Sequence, residues 1–162
     1  MILENLKIKN KEIEMKIAIG CDPNAKEYKA VLIPFIKELG YECTDFGSAD
    51  PVYANVAIAV AEAVARKEYD RGILICGTGI GVSIAANKVK GAYAALVNNI
   101  YQAQRAQLSN NANIITLGAQ VTGIELGKCF VREYLSLSFD PNSRSANKVE
   151  RISEYELGKR EE

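Results

Sequence analysis

Residues 73–88 read ILICGTGIGVSIAANK, an apolar run that ends in Cys76 and opens into three alternate glycines, Gly77, Gly79 and Gly81. Glycines at this spacing let backbone amides approach a ligand closely, and a helix starting near Ile80 would aim its positive end into the same space. An anion there would be held by backbone amides rather than by side chains. Cys76 stands at the lip of this nest, where converging donors suit an anionic sulfur. A lone cysteine at a strand end is more often a packed core thiol; the three glycines with Thr78 and Ser83 favour chemistry instead. A dinucleotide site fits less well. The spacing is GxGxG rather than GxGxxG, it follows the third strand, and no acid ends the next one.

The chain contains no histidine. Ser-His-Asp and Cys-His catalysis, imidazole metal sites and imidazole acid–base chemistry are therefore excluded. Four cysteines (Cys21, Cys43, Cys76, Cys129) include no CxxC pair, so all are read as reduced thiols and neither a metal nor a cofactor is expected. Further candidates come with bland alternatives. Asp22, in GCDPN, serves a ligand site or caps the helix that follows. Ser109, Asn110 and Asn111 lie in SNNAN, which is a functional loop or only a turn. Arg144 and Lys148, four apart in a Pro/Asn/Ser-rich segment, are a phosphate clamp or solvated charges. Tyr53 and Tyr101 line a pocket or merely pack.

These residues must be positioned by an alternation of strands and helices. Apolar runs at 16–20, 41–47, 71–76, 92–97 and 113–117 read as strands, and helical spacing marks 26–39, 54–67, 80–88, 100–109 and 123–136. The expected fold is α/β, a Rossmann-like three-layer α/β/α sandwich on a five-stranded parallel sheet. Ligands in such sheets bind beyond the carboxyl ends of the strands. The 162 residues suit one domain, read as a body over 15–152, an N-terminal extension over 1–14 and a polar tail over 153–162. Twenty acidic and twenty basic side chains cancel, leaving no electrostatic footprint for nucleic acid or anionic membrane. With no spanning apolar run and a charged start, a cytoplasmic protein is expected.

Four segments, KIAIGCD (16–22), DRGILICGTGIGVSIAANKVKG (70–91), LSNNANIITLGAQVTGIEL (108–126) and FDPNSRSANKVERI (139–152), resemble the ribose-5-phosphate isomerase B / galactose-6-phosphate isomerase family in content, order and spacing. The resemblance implies a metal-free aldose–ketose isomerase of phosphorylated sugars, built as homodimers or tetramers whose active sites are shared between subunits. It implies that Cys76 is the catalytic base, moving a proton between carbons 1 and 2 through a cis-enediolate. It further implies that Thr78 shuttles protons on the sugar oxygens and that Asp22 orients the substrate. Tyr53, Ser109 and Asn110 would then contact the sugar, and Arg144 and Lys148 its phosphate. The Gly77–Ser83 amides, with Gly79 and Gly81, would form the anion hole.

The departures from the family are as informative. Ribose-5-phosphate isomerases of this family carry histidine where Pro23 and Ser109 stand here, the latter to open the sugar ring. A basic residue is usual at Gln120, and an Asp at Val52. A tetrose 4-phosphate has esterified the only oxygen that could close a five-membered ring, so it needs no ring opening. SNNA and FDPN-x-RSA are also similar to the branch acting on erythrose and erythrulose phosphates. A tetrose 4-phosphate is the expected substrate. A ribose 5-phosphate enzyme, or a galactose-6-phosphate isomerase-like subunit without activity of its own, is the alternative.

Overall fold

The computed structural model describes residues 15–160. The strands are β1 (Lys16–Cys21), β2 (Glu42–Asp45), β3 (Arg71–Cys76), β4 (Ala94–Leu96) and β5 (Ile114–Gly118). The helices are α1 (Lys26–Glu38), α2 (Tyr53–Ala65), α3 (Ile80–Ala86), α4 (Ile100–Leu108), α5 (Ile124–Ser136) and α6 (Ala146–Glu156). All strand pairs are parallel in the order β2-β1-β3-β5-β4, the expected three-layer arrangement. β2 is shorter than its apolar run, because Phe46 and Gly47 leave the sheet through a left-handed turn at Gly47 (φ +111°). The N-terminal extension read over 1–14 lies outside the described residues. At the other end, α6 continues unbroken through residue 152, where the polar tail was expected to start, to Glu156.

β3 shows how the layers divide. Ile73 and Ile75 pack with Leu32 and Ile36 of α1 and Phe130 and Tyr134 of α5. Leu74 and Cys76 point the other way, into a cluster with Val60 and Val64 of α2 and Val82 of α3. Both faces of β3 are covered, which is why its six residues read as one apolar run. Strand order reverses between β1 and β3, so their connections diverge above Cys21 and Cys76 and leave a crevice at that end.

Arg71, at the start of β3, is buried although charged. Its guanidinium donates to the Tyr134 and Leu137 carbonyls and lies over the Tyr134 ring, 4.9 Å from its centre. It thereby caps the C-terminus of α5, whose last carbonyls have no intrahelical donors. Burial pulls its pKa down, opposed in part by the charges of Tyr134, Tyr41 and Asp70. Tyr134 in turn donates to the Ala112 carbonyl at 2.8 Å, tying α5 to the turn before β5. Arg71→Lys keeps the charge but loses the two-pronged geometry. It is expected to lower unfolding free energy by about 1–3 kcal/mol, seen as a reduced urea midpoint at unchanged m-value.

Candidate active site

The nest after β3 is built by backbone. Gly79 takes φ +79°, and a Cβ there would meet Leu96 Cδ1 at 2.7 Å and the Leu117 backbone at 2.8 Å, so only glycine fits. In that conformation its N–H donates to Cys76 Sγ at 3.1 Å. Thr116 Oγ1 holds the Gly79 carbonyl from below at 2.9 Å. The Ile80 N–H reaches Thr78 Oγ1 at 3.3 Å. The first-turn amides of α3, up to Val82, have no carbonyl one turn earlier to bond. Ser83 differs from expectation: its N–H already donates to the Gly79 carbonyl at 3.3 Å, so the donor array ends at Val82.

Cys76 is only 5% exposed, but what it exposes opens into a cavity of about 460 Å³. The walls comprise Asp22, Asn24, Tyr53, Gly77, Thr78, Ile80, Gly81 and Ile84. Asp22, expected either to cap α1 or to serve a ligand site, does not cap α1, which starts after Ala25 with no side-chain cap. Oδ1 accepts from Asn24 N at 3.0 Å, capping a 3-10 turn over Pro23–Ala25, while the residue lines the cavity. Its own N–H donates to the Ile75 carbonyl at 3.3 Å, which places it beside Cys76. Tyr53 starts α2 and lies over Gly81 so closely that a Cβ there would sit 2.5 Å from the ring. Gln120 covers Gly77 from the other side, its Oε1 3.2 Å from where a Cβ would be. Sequence reasoning had singled out Gln120 only for its missing charge. Asn24, Ile80 and Ile84 were missed as wall residues, since only the fold turns them toward Cys76.

The remaining candidates are elsewhere. Cys76 pairs with Gly118 in the sheet, whereas Ser109 and Asn110 precede Ile114, at the other end of β5. Four residues of strand separate Gly118 from Ile114, about 13 Å. Asn110 and Asn111 share a small cleft with Tyr93 and with Val149, Ile152 and Ser153 of α6. α6 is fastened there by Glu156, which accepts from Gly91 N at 3.0 Å and Tyr93 Oη at 2.7 Å. Arg144 and Lys148, before and within that helix, are exposed. Ser109 ends α4, and its hydroxyl accepts from Arg105 Nη1 at 3.2 Å. Tyr101 is exposed beneath the Arg105 guanidinium. The Cys76 cavity and the cleft between Asn110 and α6 therefore lie at opposite ends of the sheet.

All four cysteines are free. Among the described residues no three His, Cys, Asp or Glu side chains converge as metal ligands, and no helix is long and apolar enough to cross a membrane. Burial pushes the Cys21 thiol up to about 11, opposed by the Lys29 ammonium, and burial likewise pushes Cys43 to about 11. Below that pH the reactive thiolate of each falls about tenfold per unit. At pH 8, iodoacetamide is therefore expected to modify Cys76, through its cavity, well before Cys21 or Cys43. Peptide mapping by mass spectrometry would read the order, and faster modification of Cys21 would contradict it.

The ribose/galactose isomerase family model matches residues 17–152. D-erythrulose-4-phosphate isomerase 2 of Mycolicibacterium smegmatis is 45% identical over 151 residues, covering 88% of this chain and 97% of that one. Ribose-5-P isomerase B of Listeria innocua is 46% identical over 145 residues, with 88% and 97% covered. Among solved structures, ribose-5-phosphate isomerase B of Clostridium thermocellum superposes with a TM-score of 0.84 at 43% identity, covering 89% of this chain and 99% of that one. Sheet, glycine nest and match all agree: the chain belongs to the ribose/galactose isomerase family.

Proposed function

We propose that this protein interconverts an aldose phosphate and a ketose phosphate with Cys76 as the base, and that its preferred substrate is a tetrose 4-phosphate. The observation that carries the reading is the sulfur itself, opening into a cavity with the Gly79 N–H 3.1 Å away. Cys76 Sγ, as thiolate, takes the proton from carbon 2 of the aldose, and the carbonyl oxygen becomes the oxyanion of a cis-enediolate. The Sγ–H then returns the proton to carbon 1. Thr78 Oγ1 passes the second proton between the two sugar oxygens, so the step is redox-neutral overall. The charge that develops faces amides of the Gly77–Val82 turn other than those of Gly79, which holds the sulfur, and Ile80, which holds Thr78 Oγ1, a preorganised array of the kind that contributes about 3 kcal/mol to a transition state. Asp22 fixes the sugar hydroxyls and Tyr53 closes one wall.

The phosphate-binding half of the reaction is absent from the Cys76 cavity of a single chain, so a second copy supplies it. Ser109, Asn110, Arg144 and Lys148 of one copy are read as completing the cavity of another. In a two-fold assembly each chain gives one half-site and receives the other. Support comes from the rim of the cavity. Val52, Tyr53, Ile80 and Ile84 are all exposed, an apolar surface that their own chain leaves uncovered.

Substrate length follows from the residues at the second half-site. Ser109 offers no imidazole for opening a ring, and its hydroxyl is already engaged by Arg105. A substrate that is open-chain in solution fits such a site. The relatives named for D-erythrulose 4-phosphate stand at 45% and 42% identity.

Cys76→Ala is expected to lower kcat by about 10²–10⁴-fold while far-UV circular dichroism stays unchanged. Across purified tetrose, pentose and hexose phosphates, kcat/KM should be highest for D-erythrulose 4-phosphate, by about tenfold over ribose 5-phosphate. Equal or better ribose 5-phosphate turnover would overturn the substrate but leave the reaction class. Mixing inactive Cys76→Ala with inactive Arg144→Ala/Lys148→Ala subunits should restore about a quarter of wild-type activity through hybrids holding one intact site. No recovery after exchange would contradict the shared site.

A further inference from the structure

Lys29 occupies the buried stripe of α1 together with Ala25, Leu32 and Ile36. Its side chain is 3% exposed, and an ammonium withdrawn from water needs a close partner to offset the penalty. That partner is Asp45, the last residue of β2, whose Oδ1 accepts from Lys29 Nζ and whose carboxylate is 47% exposed. The same Oδ1 accepts from Gly47 N at 2.8 Å, so the ion pair grips the turn where the chain leaves β2. From there the bonding runs to the site. Phe46 N donates to the Ile19 carbonyl at 2.8 Å, Cys21 N to the Gly47 carbonyl at 3.2 Å, and Asp22 N to the Ile75 carbonyl next to Cys76. In the other direction, five residues carry the chain from Gly47 to Tyr53.

Stability alone does not require charges here, because apolar side chains of similar volume serve a buried position equally well. An apolar residue at 45 could not hold the Gly47 amide. Burial raises the Asp45 carboxyl, but the hydrogen bonds from Lys29 and Gly47 and the ammonium's charge outweigh it and keep the group below the usual carboxylate range.

We propose that Lys29 and Asp45 form a positioning pair that locks the β2 exit turn and so holds Asp22 and Tyr53 in place against the Cys76 nest. The pair touches no substrate. Its kinetic consequence rests on the isomerase reading above; its structural consequence does not. Lys29→Met, Lys29→Arg and Asp45→Ala separate the two, with wild type alongside and all rates taken well below each variant's melting temperature. In Lys29→Met and Asp45→Ala the amides of Cys21, Asp22 and Gly47 are expected to exchange with deuterium about tenfold faster. Amides of β5 should stay protected, and Cys76 alkylation should stay within about twofold of wild type. In the same two variants kcat/KM should fall about tenfold, as expected when a binding group moves by a fraction of an ångström. Lys29→Arg, which keeps the pair, should remain within about threefold. Where Lys29→Met does not fold, Asp45→Ala decides, its side chain being half exposed. Unchanged exchange at the three amides overturns the positioning role, whether or not wild type turns over any sugar. Faster exchange with unchanged kcat/KM in an active enzyme overturns its bearing on catalysis. An inert wild type with faster exchange in the variants upholds the structural role and counts against the isomerase reading alone.

Discussion

Parallel strands sort a chain's residues by end, and the rest of this molecule follows from that sorting. β1 and β3 both finish beneath the crevice, so Asp22 and Cys76 arrive side by side although 54 positions apart in sequence. The hydrogen bond from Gly79 N to Cys76 Sγ is then possible because the chain must turn sharply to leave β3. The left-handed Gly79 is pressed against Leu96 and Leu117, and that crowding on two neighbouring strands keeps the turn rigid. A donor held by the sheet itself needs little reorganisation when charge appears, which is the property an enediolate site requires. The same sorting sends Ser109, Asn110 and the α6 segment to the far end. A parallel sheet cannot bring both ends of one strand to one ligand, so in the proposed reaction completing the site is a problem of assembly rather than of folding.

The alternation of elements was legible because β3 and β5 are buried on both faces and so read as unbroken apolar runs. The nest was legible for a different reason: alternate glycines after such a run have few structural uses other than close backbone approach. What escaped was whatever depends on side-chain direction. Within α1, Val31 is exposed while Lys29 takes a buried slot beside Leu32 and Ile36. A lysine in step with Leu32 and Ile36 was the available signal, outweighed by the usual exposure of charged residues. Ser83 was assigned a donor role that its own helix removes, since hydrogen bonding in α3 begins at that residue. The separation of Ser109, Asn110, Arg144 and Lys148 from Cys76 could not be read from spacing at all, because it depends on which strand end each loop joins.

Two cations, Arg71 and Lys29, are buried at opposite ends of the sheet and solve the same difficulty in different ways. Arg71 meets carbonyls of α5 and stacks on Tyr134, so its charge is matched by dipoles and a ring face. Lys29 meets a full carboxylate at the end of β2. A planar guanidinium suits an arrangement that must satisfy two carbonyls at once, whereas a compact ammonium suits a single acceptor that also has to hold a backbone amide. The first arrangement secures a helix end remote from chemistry. The second lies two hydrogen bonds, through Gly47, from Cys21, the neighbour of Asp22 at the rim of the Cys76 cavity.

The complete absence of histidine bears on chemistry more than any residue that is present. Aldose–ketose isomerisation needs a base that can take and return one proton beside a carbonyl, together with donors for the oxyanion; in the proposed reaction Cys76 and the amides around it supply both. Opening a furanose is a separate proton transfer at a ring oxygen, and it calls for an acid–base group at the other end of the substrate. The chain has no imidazole for that transfer, and the Ser109 hydroxyl, which has no tendency to ionise at neutral pH, is already hydrogen-bonded to Arg105. The proposed tetrose 4-phosphate, too short to cyclise, would need no such group. Such a substrate also brings its phosphate one carbon closer to the reacting centre than a pentose does. In the proposed assembly Arg144, just before α6, and Lys148, within it, would then have to approach the Cys76 cavity of a neighbouring copy more closely, and both are exposed.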